Sequence, residues 1–353
     1  MVEGLQARNR GLVGPRRDLL TERQTISAER FGQNCVREML SQIQADIRDV
    51  HLDWAYQFIK DLFPSTEAEV ELALRRAQTE LPAPLDHALT FNMALDLSGA
   101  TRKMKAYMFP MAKNLATGRQ RDARDAGFDA IRNLKPHGNR LAPAVDFLDL
   151  YWDTCPEKLV LDMIGMDCVD PSKARIKIYA HLPTRNSWDL IRHVSTFGGQ
   201  ATDVDRLKGL EILHSLWDIL RNEQSNHGDH YDKPMRHPTS FLGSIMFSFE
   251  IVPDRQIPDV KIYVPMWQYA PSDGHVADNL MSAFRKLGWN DVAKNYLRNL
   301  RRTFPGADFE SPLSVLHSNL SYSYSPATGA YMSVYYAISG KATIKNGQSS
   351  DED

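Results

Sequence analysis

A short strand motif, a basic residue followed two positions later by tyrosine, recurs along this chain and most constrains its fold. It occurs at 105–107, 175–179 and 261–263, and two further tyrosines lie four positions apart at 331–335. Residues two apart on a β-strand share one face, so each copy places cationic and phenolic groups side by side. The copies are about 70 to 85 residues apart, which indicates a repeated supersecondary unit. The residues in question are Lys105, Tyr107, Arg175, Lys177, Tyr179, Lys261, Tyr263, Tyr331 and Tyr335.

These motifs favour an anionic ligand. Neighbouring cations in a confined space repel each other and lose hydration unless an anion lies between them. A single Lys-x-Tyr is most often the solvated face of an amphipathic strand, but three copies at similar spacing favour one shared cavity. We therefore predict a ring of Lys, Arg and Tyr side chains that holds a polyanion such as a diphosphate.

The composition excludes several classes of function. The 353 residues carry a formal net charge of −2, which argues against a nucleic-acid partner. Cys35, Cys155 and Cys168 are widely spaced and odd in number, so we expect neither a zinc site nor a disulfide framework. The N-terminus lacks the apolar core of a signal peptide, and no apolar run is long enough to span a membrane. We expect a soluble, cytoplasmic protein.

The periodicity of apolar residues predicts helices between successive strand pairs. Strand pairs are expected at 89–97 with 103–109, 158–166 with 174–181, 241–251 with 259–266, and 317–325 with 330–337. Helices are expected within 26–80 and at 119–134, 142–152, 187–195, 203–207, 209–222, 272–287 and 289–302.

Hairpins joined by helix pairs suit an antiparallel barrel with helices outside. We predict an α+β fold, an antiparallel β-barrel of repeated ββαα units surrounded by helices. One domain is expected over 26–343, after an irregular lead-in at 1–25 and before a disordered acidic tail at 344–353.

Five segments of the chain resemble the dimethylallyltryptophan synthase family of aromatic prenyltransferases. They are Lys105–Pro110, Ala174–Tyr179, Phe197–Gly199, Lys261–Pro265, and Ser321–Tyr324 continuing to Tyr331–Tyr335. The resemblance runs from about residue 30 to 340. It implies the family's barrel of ten antiparallel strands inside a ring of helices.

The resemblance implies that the ring binds an allylic prenyl diphosphate, such as dimethylallyl diphosphate, and ionises it. Breaking the allylic C–O bond puts negative charge on the diphosphate, which preorganised cations stabilise, so Mg²⁺ is not obligatory. Tyrosine faces shield the carbocation from water. The implied diphosphate ligands are the nine residues above, of which Lys177, Tyr179 and Tyr263 are the implied catalytic residues and Tyr107, Tyr179, Tyr263, Tyr331 and Tyr335 form the shield. No Asp-Asp-x-x-Asp motif occurs, and no metal site is predicted.

The chain departs from the family pattern in its acceptor half. A longer N-terminal segment, with an indole-binding Glu and a diphosphate-binding Arg, has no recognisable counterpart, so we expect an incomplete first repeat. The segment 89–97 also lacks the family's basic Lys. Three interpretations stay open: transfer to an aromatic, indole-like acceptor in secondary metabolism; a metal-independent terpene synthase acting without an acceptor; or an inactive or partner-dependent isoprenoid-binding relative. A homodimer is a further possibility.

Three other features have a structural and a functional interpretation. The His- and Asp-rich loop at 226–237 invites a metal site, but its spacing matches no zinc pattern and a surface loop is expected. His181 and His275 are candidate proton shuttles, and structural roles are the commoner alternative. Glu250 is either a solvated strand residue or, if it points inward, a candidate base.

Overall fold

The computed structural model describes residues 33–46, 49–80, 91–98, 101–118, 123–224, 227–238, 243–312 and 314–337. The predicted lead-in at 1–25 and the tail at 344–353 lie outside these residues. The helices are α1 Gln33–Asp46, α2 Asp53–Leu62, α3 Glu67–Glu80, α4 Met111–Ala116, α5 Ala123–Arg132, α6 Ala142–Thr154, α7 Trp188–Ser195, α8 Val204–Leu220, α9 Asp273–Lys286 and α10 Asn290–Thr303. The strands are β1 Phe91–Ser98, β2 Thr101–Met108, β3 Val160–Asp167, β4 Ile176–His181, β5 Met246–Ile251, β6 Asp259–Val264, β7 His317–Ser325 and β8 Gly329–Tyr336.

The strands form one antiparallel sheet in chain order, from β1 at one edge to β8 at the other. The sheet is curled, which brings strands near its two edges together. Burial raises the pKa of the Tyr107 hydroxyl on β2, and Tyr335 on β8 lies close enough to raise it further. This confirms the predicted α+β fold with a barrel-like antiparallel sheet. The resemblance implies ten strands, and the described residues contain eight.

The two faces of the sheet differ in chemistry, as alternation along a strand requires. On β4, Ile176, Ile178 and Ala180 are fully buried on the outer face, whereas Lys177 and Tyr179 lie on the inner face. Helices cover the outer face: α2 packs on β2, α5 on β3 and α8 on β7. The main apolar core therefore lies between helices and sheet, which leaves the inner face for polar side chains.

Helix α8 corrects one predicted boundary. The sequence suggested two helices, 203–207 and 209–222, but α8 is continuous through Gly209. A Cβ at Gly209 would lie 2.5 Å from Cβ of Tyr324 on β7, and the Tyr322 hydroxyl donates to the Gly209 carbonyl at 2.7 Å. Glycine is therefore required for close packing of helix on strand and does not mark a helix end.

The short helix α4 was not predicted. It begins directly after β2, with Pro110 in a helical conformation at its N-cap. Proline's fixed φ suits a helix start, so Pro110, which follows the end of β2, caps the next helix. Within the described ranges, each helix is too short or too polar to cross a bilayer.

Candidate active site

Four tyrosines form a continuous row across the inner face of the described sheet. We call Tyr107, Tyr179, Tyr263 and Tyr335 the tyrosine belt. Ring centroids are 5.9 Å apart for Tyr107 and Tyr179, 6.0 Å for Tyr179 and Tyr263, and 5.8 Å for Tyr263 and Tyr335. The belt thus spans β2, β4, β6 and β8, contributed by alternate strands of the sheet.

Small residues on the intervening strands make room for these rings. Gly165 pairs with Tyr107 across β2 and β3, and Ser248 pairs with Tyr179 across β4 and β5. Ser321 on β7 pairs with Tyr263 on β6. A Cβ on Gly165 would lie 2.9 Å from ring carbons of Tyr107 and 3.2 Å from the Tyr179 ring. Glycine at 165 is therefore what allows neighbouring rings to approach each other.

The belt presents uncharged phenols. Burial raises the pKa of Tyr107, Tyr179 and Tyr263 above the ordinary value of 10.0, so these hydroxyls keep their protons near neutral pH. A neutral aromatic face attracts a cation through its quadrupole and offers no anionic nucleophile to react with it. The belt is suited to surrounding a carbocation.

A second row lies beside the belt on the inner face. Its lysines each precede a belt tyrosine by two residues on the same strand, and its carboxylates lie on the intervening strands β3 and β5. We call it the charged belt, and its members are Lys105, Asp167, Arg175, Lys177, Glu250 and Lys261. Where the two belts meet, a small cavity is lined by Lys105, Tyr107, Gly165, Met166, Asp167, Arg175, Lys177 and Tyr179.

Carboxylates hold most cations of the charged belt in place. Arg175 donates from Nε to Asp167 at 2.7 Å and from Nη1 to Glu250 at 2.8 Å. The Lys177 Nζ lies 3.0 Å from the other Glu250 oxygen, and Lys105 contacts a carboxylate of β1, described below. The cations are thus fixed in position before any ligand arrives.

Glu250 points inward, as one of its two predicted interpretations required. Burial alone raises the pKa of its carboxyl, but the neighbouring Lys177 and Arg175 charges outweigh burial and hold the pKa below its usual value. A carboxylate held between two cations is a poor proton acceptor. Its position indicates that Glu250 is a counter-ion within the charged belt and not the candidate base.

Lys261 has a different environment from the other cations. Its Nζ lies 5.2 Å from the centroid of the Tyr331 ring, which is a cation–π contact. Burial, followed by repulsion from Lys177, lowers the pKa of Lys261 from 10.5 to about 8. Glu250 opposes this repulsion only in part. Lys261 is therefore the place where the charged belt lacks an anion.

The structure brings together all nine sequence-predicted site residues on the inner face; their roles as ligands stay predictions. By contrast, Tyr322 of the resembling segment points outward to α8. Sequence reasoning missed Asp96, which contacts Lys105, and Asp167. The hairpin turn after β1 sets Ala94 opposite Lys105, so Asp96 was open to prediction. Asp167 was missed because the predicted strand ends at 166, one residue before it.

The other candidate sites have structural contacts. His275 bonds to Ser272 at the N-cap of α9, with 2.9 Å between Nδ1 and Oγ. In the His- and Asp-rich loop, Asp232 accepts from the backbone N–H groups of Asn186 and Ser187 at 2.7 Å. No three His, Cys, Asp or Glu side chains converge on a metal-binding geometry in the ranges that the structure describes.

Comparison with solved structures supports the fold. The chain superimposes on AnaPT from Neosartorya fischeri with a TM-score of 0.71 and 24% identity, covering 88% of this chain and 70% of AnaPT. It superimposes on the NotF prenyltransferase with a TM-score of 0.70 and 23% identity, covering 90% and 74% of the two chains.

Comparison of sequences extends this to the family. The chain is 40% identical over 321 residues to the O-glucose prenyltransferase PaPT of Phomopsis amygdali, covering 89% of this chain and 70% of PaPT. It is 31% identical to the indole prenyltransferase tdiB of Emericella nidulans, covering 91% and 76%. It also spans 59% of the indole diterpene prenyltransferase terF of Tolypocladium album, at 35% identity.

The sequence model described as tryptophan dimethylallyltransferase matches residues 17–299, which include six of the eight strands and the three basic motifs. This match and the identity to PaPT agree with the resemblance found in the sequence. The chain belongs to the tryptophan dimethylallyltransferase family.

Proposed function

We propose that the chain ionises an allylic prenyl diphosphate and transfers its prenyl group to an aromatic, indole-like acceptor in secondary metabolism. The observation that carries the proposal is the contact between the charged belt and the tyrosine belt on one inner face. Ionisation creates a diphosphate anion and a carbocation a few ångströms apart. The cations of the charged belt suit the anion, and the adjacent aromatic faces of the tyrosine belt suit the carbocation.

Each belt has a distinct task in this reaction. Lys105, Arg175, Lys177 and Lys261 hold the diphosphate, and Lys177 stabilises the charge that develops on its bridging oxygen. Tyr179 and Tyr263, at the centre of the tyrosine belt, cover the allylic cation, and Tyr331 and Tyr335 close the shield on β8. Four cations supply the charge that a metal ion otherwise supplies, so Mg²⁺ is not obligatory for ionisation.

The named relatives support transfer and differ in the acceptor. NotF has been solved with brevianamide F and DMSPP, tdiB is named an indole prenyltransferase, and PaPT an O-glucose prenyltransferase. PaPT's 40% identity favours a second candidate acceptor, a glucose hydroxyl of a glycoside. These relatives are transferases, which does not favour the terpene-synthase interpretation. A homodimer and a cytoplasmic location stay predictions.

Product analysis tests the proposal. The protein is incubated with dimethylallyl, geranyl or farnesyl diphosphate in EDTA, with tryptophan, an indole diterpene or an aryl glucoside as acceptor. We expect a prenylated acceptor by liquid chromatography–mass spectrometry, and the productive pairing identifies the acceptor class. Formation of cyclic hydrocarbons in incubations without acceptor would contradict prenyl transfer and favour a terpene synthase. Intact donor in every incubation would favour an inactive or partner-dependent protein.

A further inference from the structure

A histidine–aspartate pair, His181 and Asp162, lies on the inner side of the curled sheet. The tyrosine belt separates this pair from the charged belt. His181 follows Lys177 and Tyr179 at two-residue steps on β4, so the three side chains share the inner face. Each step advances about 7 Å along the strand. The order along β4 is therefore the charged belt, then the tyrosine belt, then His181.

A distortion of β3 directs Asp162 to this histidine. The register of β3 with β4 shifts between Leu161 and Met163, which leaves Asp162 as the extra residue of a β-bulge. Its Oδ1 lies 2.8 Å from Nδ1 of His181, and the Asp162 side chain is only 6% exposed. Burial raises the pKa of Asp162, and the His181 contact partly offsets this rise. The contact holds the imidazole ring in one orientation.

The proposed reaction requires a base in this region. The diphosphate leaves on the side of the charged belt, so a nucleophile reaches the allylic carbon from elsewhere, and His181 lies on the opposite side of the tyrosine belt. A ring carbon or hydroxyl that attacks a carbocation must also lose its proton. Glu250 does not fit this task, because it lies among the cations that hold the leaving group.

We propose that His181, oriented by Asp162, is the base that accepts the proton of the acceptor. The C–O bond of the donor breaks and its electron pair leaves with the diphosphate. The acceptor's electron pair then forms the new bond to the allylic carbon. The acceptor's C–H or O–H proton passes to the imidazole of His181, which Asp162 orients through Nδ1. No oxidant, reductant or metal takes part.

The proposal rests on the proposed function, and the test separates the two. Wild type, His181→Gln and Asp162→Asn are given donor and acceptor, and released diphosphate and prenylated product are measured separately. Without the base, the cation still forms and is captured by water. We expect His181→Gln to lower product formation by about 100-fold while diphosphate release falls less than about threefold.

The ratio of product to diphosphate is a readout that loss of folding does not imitate, because release requires an intact charged belt. Imidazole added to His181→Ala is expected to restore part of the product, which a structural role for the ring does not explain. The matched control is His230→Gln, which removes a His–Asp pair of similar length, 2.7 Å to Asp189, on the exposed surface.

Three results would overturn the inference. An unchanged ratio of product to diphosphate in His181→Gln would show that another group takes the proton. An equal fall of release and product in both His181 variants, without rescue by imidazole, would assign the pair a structural role. Absence of diphosphate release from the wild type would refute the proposed function itself, and the inference with it.

Discussion

Replacing Lys261 by glutamine is expected to stabilise the free protein while weakening its affinity for diphosphate. The ammonium group is largely buried and surrounded by Lys177, Lys105 and Arg175, and Glu250 only partly compensates. Glutamine keeps most of the side-chain volume and removes the charge. Stability and binding should therefore change in opposite directions, which a general disruption of the fold does not produce.

The magnitude follows from the depressed pKa of Lys261. A fall from 10.5 to about 8 corresponds to about 3 kcal/mol of unfavourable interaction with the charged amine. Lys261 keeps partial contact with water, so we expect Lys261→Gln to raise the free energy of unfolding by about 2 kcal/mol near pH 7.

The pH dependence has a defined sign. Below about pH 8, Lys261 is charged in both the folded and unfolded states, and the penalty is complete. Between about pH 8 and 10.5, the unfolded chain binds a proton that the folded protein has released, so stability rises with pH. The advantage of the variant over wild type should shrink by more than half by about pH 9.5.

The assay is urea unfolding followed by tryptophan fluorescence, at about pH 7 and about pH 9.5, with and without inorganic diphosphate. Diphosphate should stabilise the wild type more than the variant, because the bound anion interacts with the ammonium charge of Lys261, which the variant lacks. Lys294→Gln, an exposed lysine on α10, is the matched control and should change neither quantity.

A Lys261→Gln variant that is less stable than wild type at pH 7, or whose advantage does not depend on pH, would refute the reasoning. Equal stabilisation of both proteins by diphosphate would remove Lys261 from the anion site.

Three further predictions concern the two belts. Lys177→Ala should lower turnover by at least about 100-fold, or about 2.7 kcal/mol, in an assay of diphosphate release, and a loss below about threefold would contradict its role. Gly165→Ala should destabilise the fold by about 1–3 kcal/mol and increase prenyl alcohol relative to product, since its Cβ displaces Tyr107; Gly306→Ala, whose Cβ meets open space, should do neither. Glu250→Gln should tighten inorganic diphosphate binding about tenfold at low ionic strength by calorimetry, and weaker binding would assign Glu250 a purely positioning role.

The sequence predicted the strands and the cationic rows well, because both depend on local periodicity. Alternation at two-residue spacing determines which side chains of a strand share a face. The repetition of the basic-x-Tyr motif at similar spacing predicts that these faces line one cavity. The neighbours that tune these rows were less predictable. Glu250 was recognised as a candidate without its direction, since it reaches Arg175 across the pairing of β4 with β5, which no local pattern specifies. Asp167 was missed because the predicted strand ends one residue before it.

Small residues and irregularities were the hardest features to predict. Gly165 lies in a strand without a positive φ, so no local feature predicts a glycine there. Glycine is needed at this position because the rings of Tyr107 and Tyr179, from neighbouring strands, pack against it. Gly209 lies at a predicted helix boundary, but a glycine is needed there because the residue packs against Tyr324 on β7. Asp162 stands in a bulge, and one extra residue in a strand changes the direction of a side chain without changing the apolar pattern.

The arrangement of charges explains why a cationic site is stable without its ligand. Among the described residues, Asp96, Asp167 and Glu250 accompany four cations, so one positive charge stays uncompensated. Each carboxylate lowers the affinity for diphosphate, because it competes for the same donors, yet it also fixes the cation's side chain before binding. Preorganised donors stabilise a developing charge without reorganising at the moment of reaction. The remaining repulsion is concentrated at Lys261, where arrival of an anion relieves it most. The charged belt therefore combines a stable free state with a strong response to the leaving diphosphate.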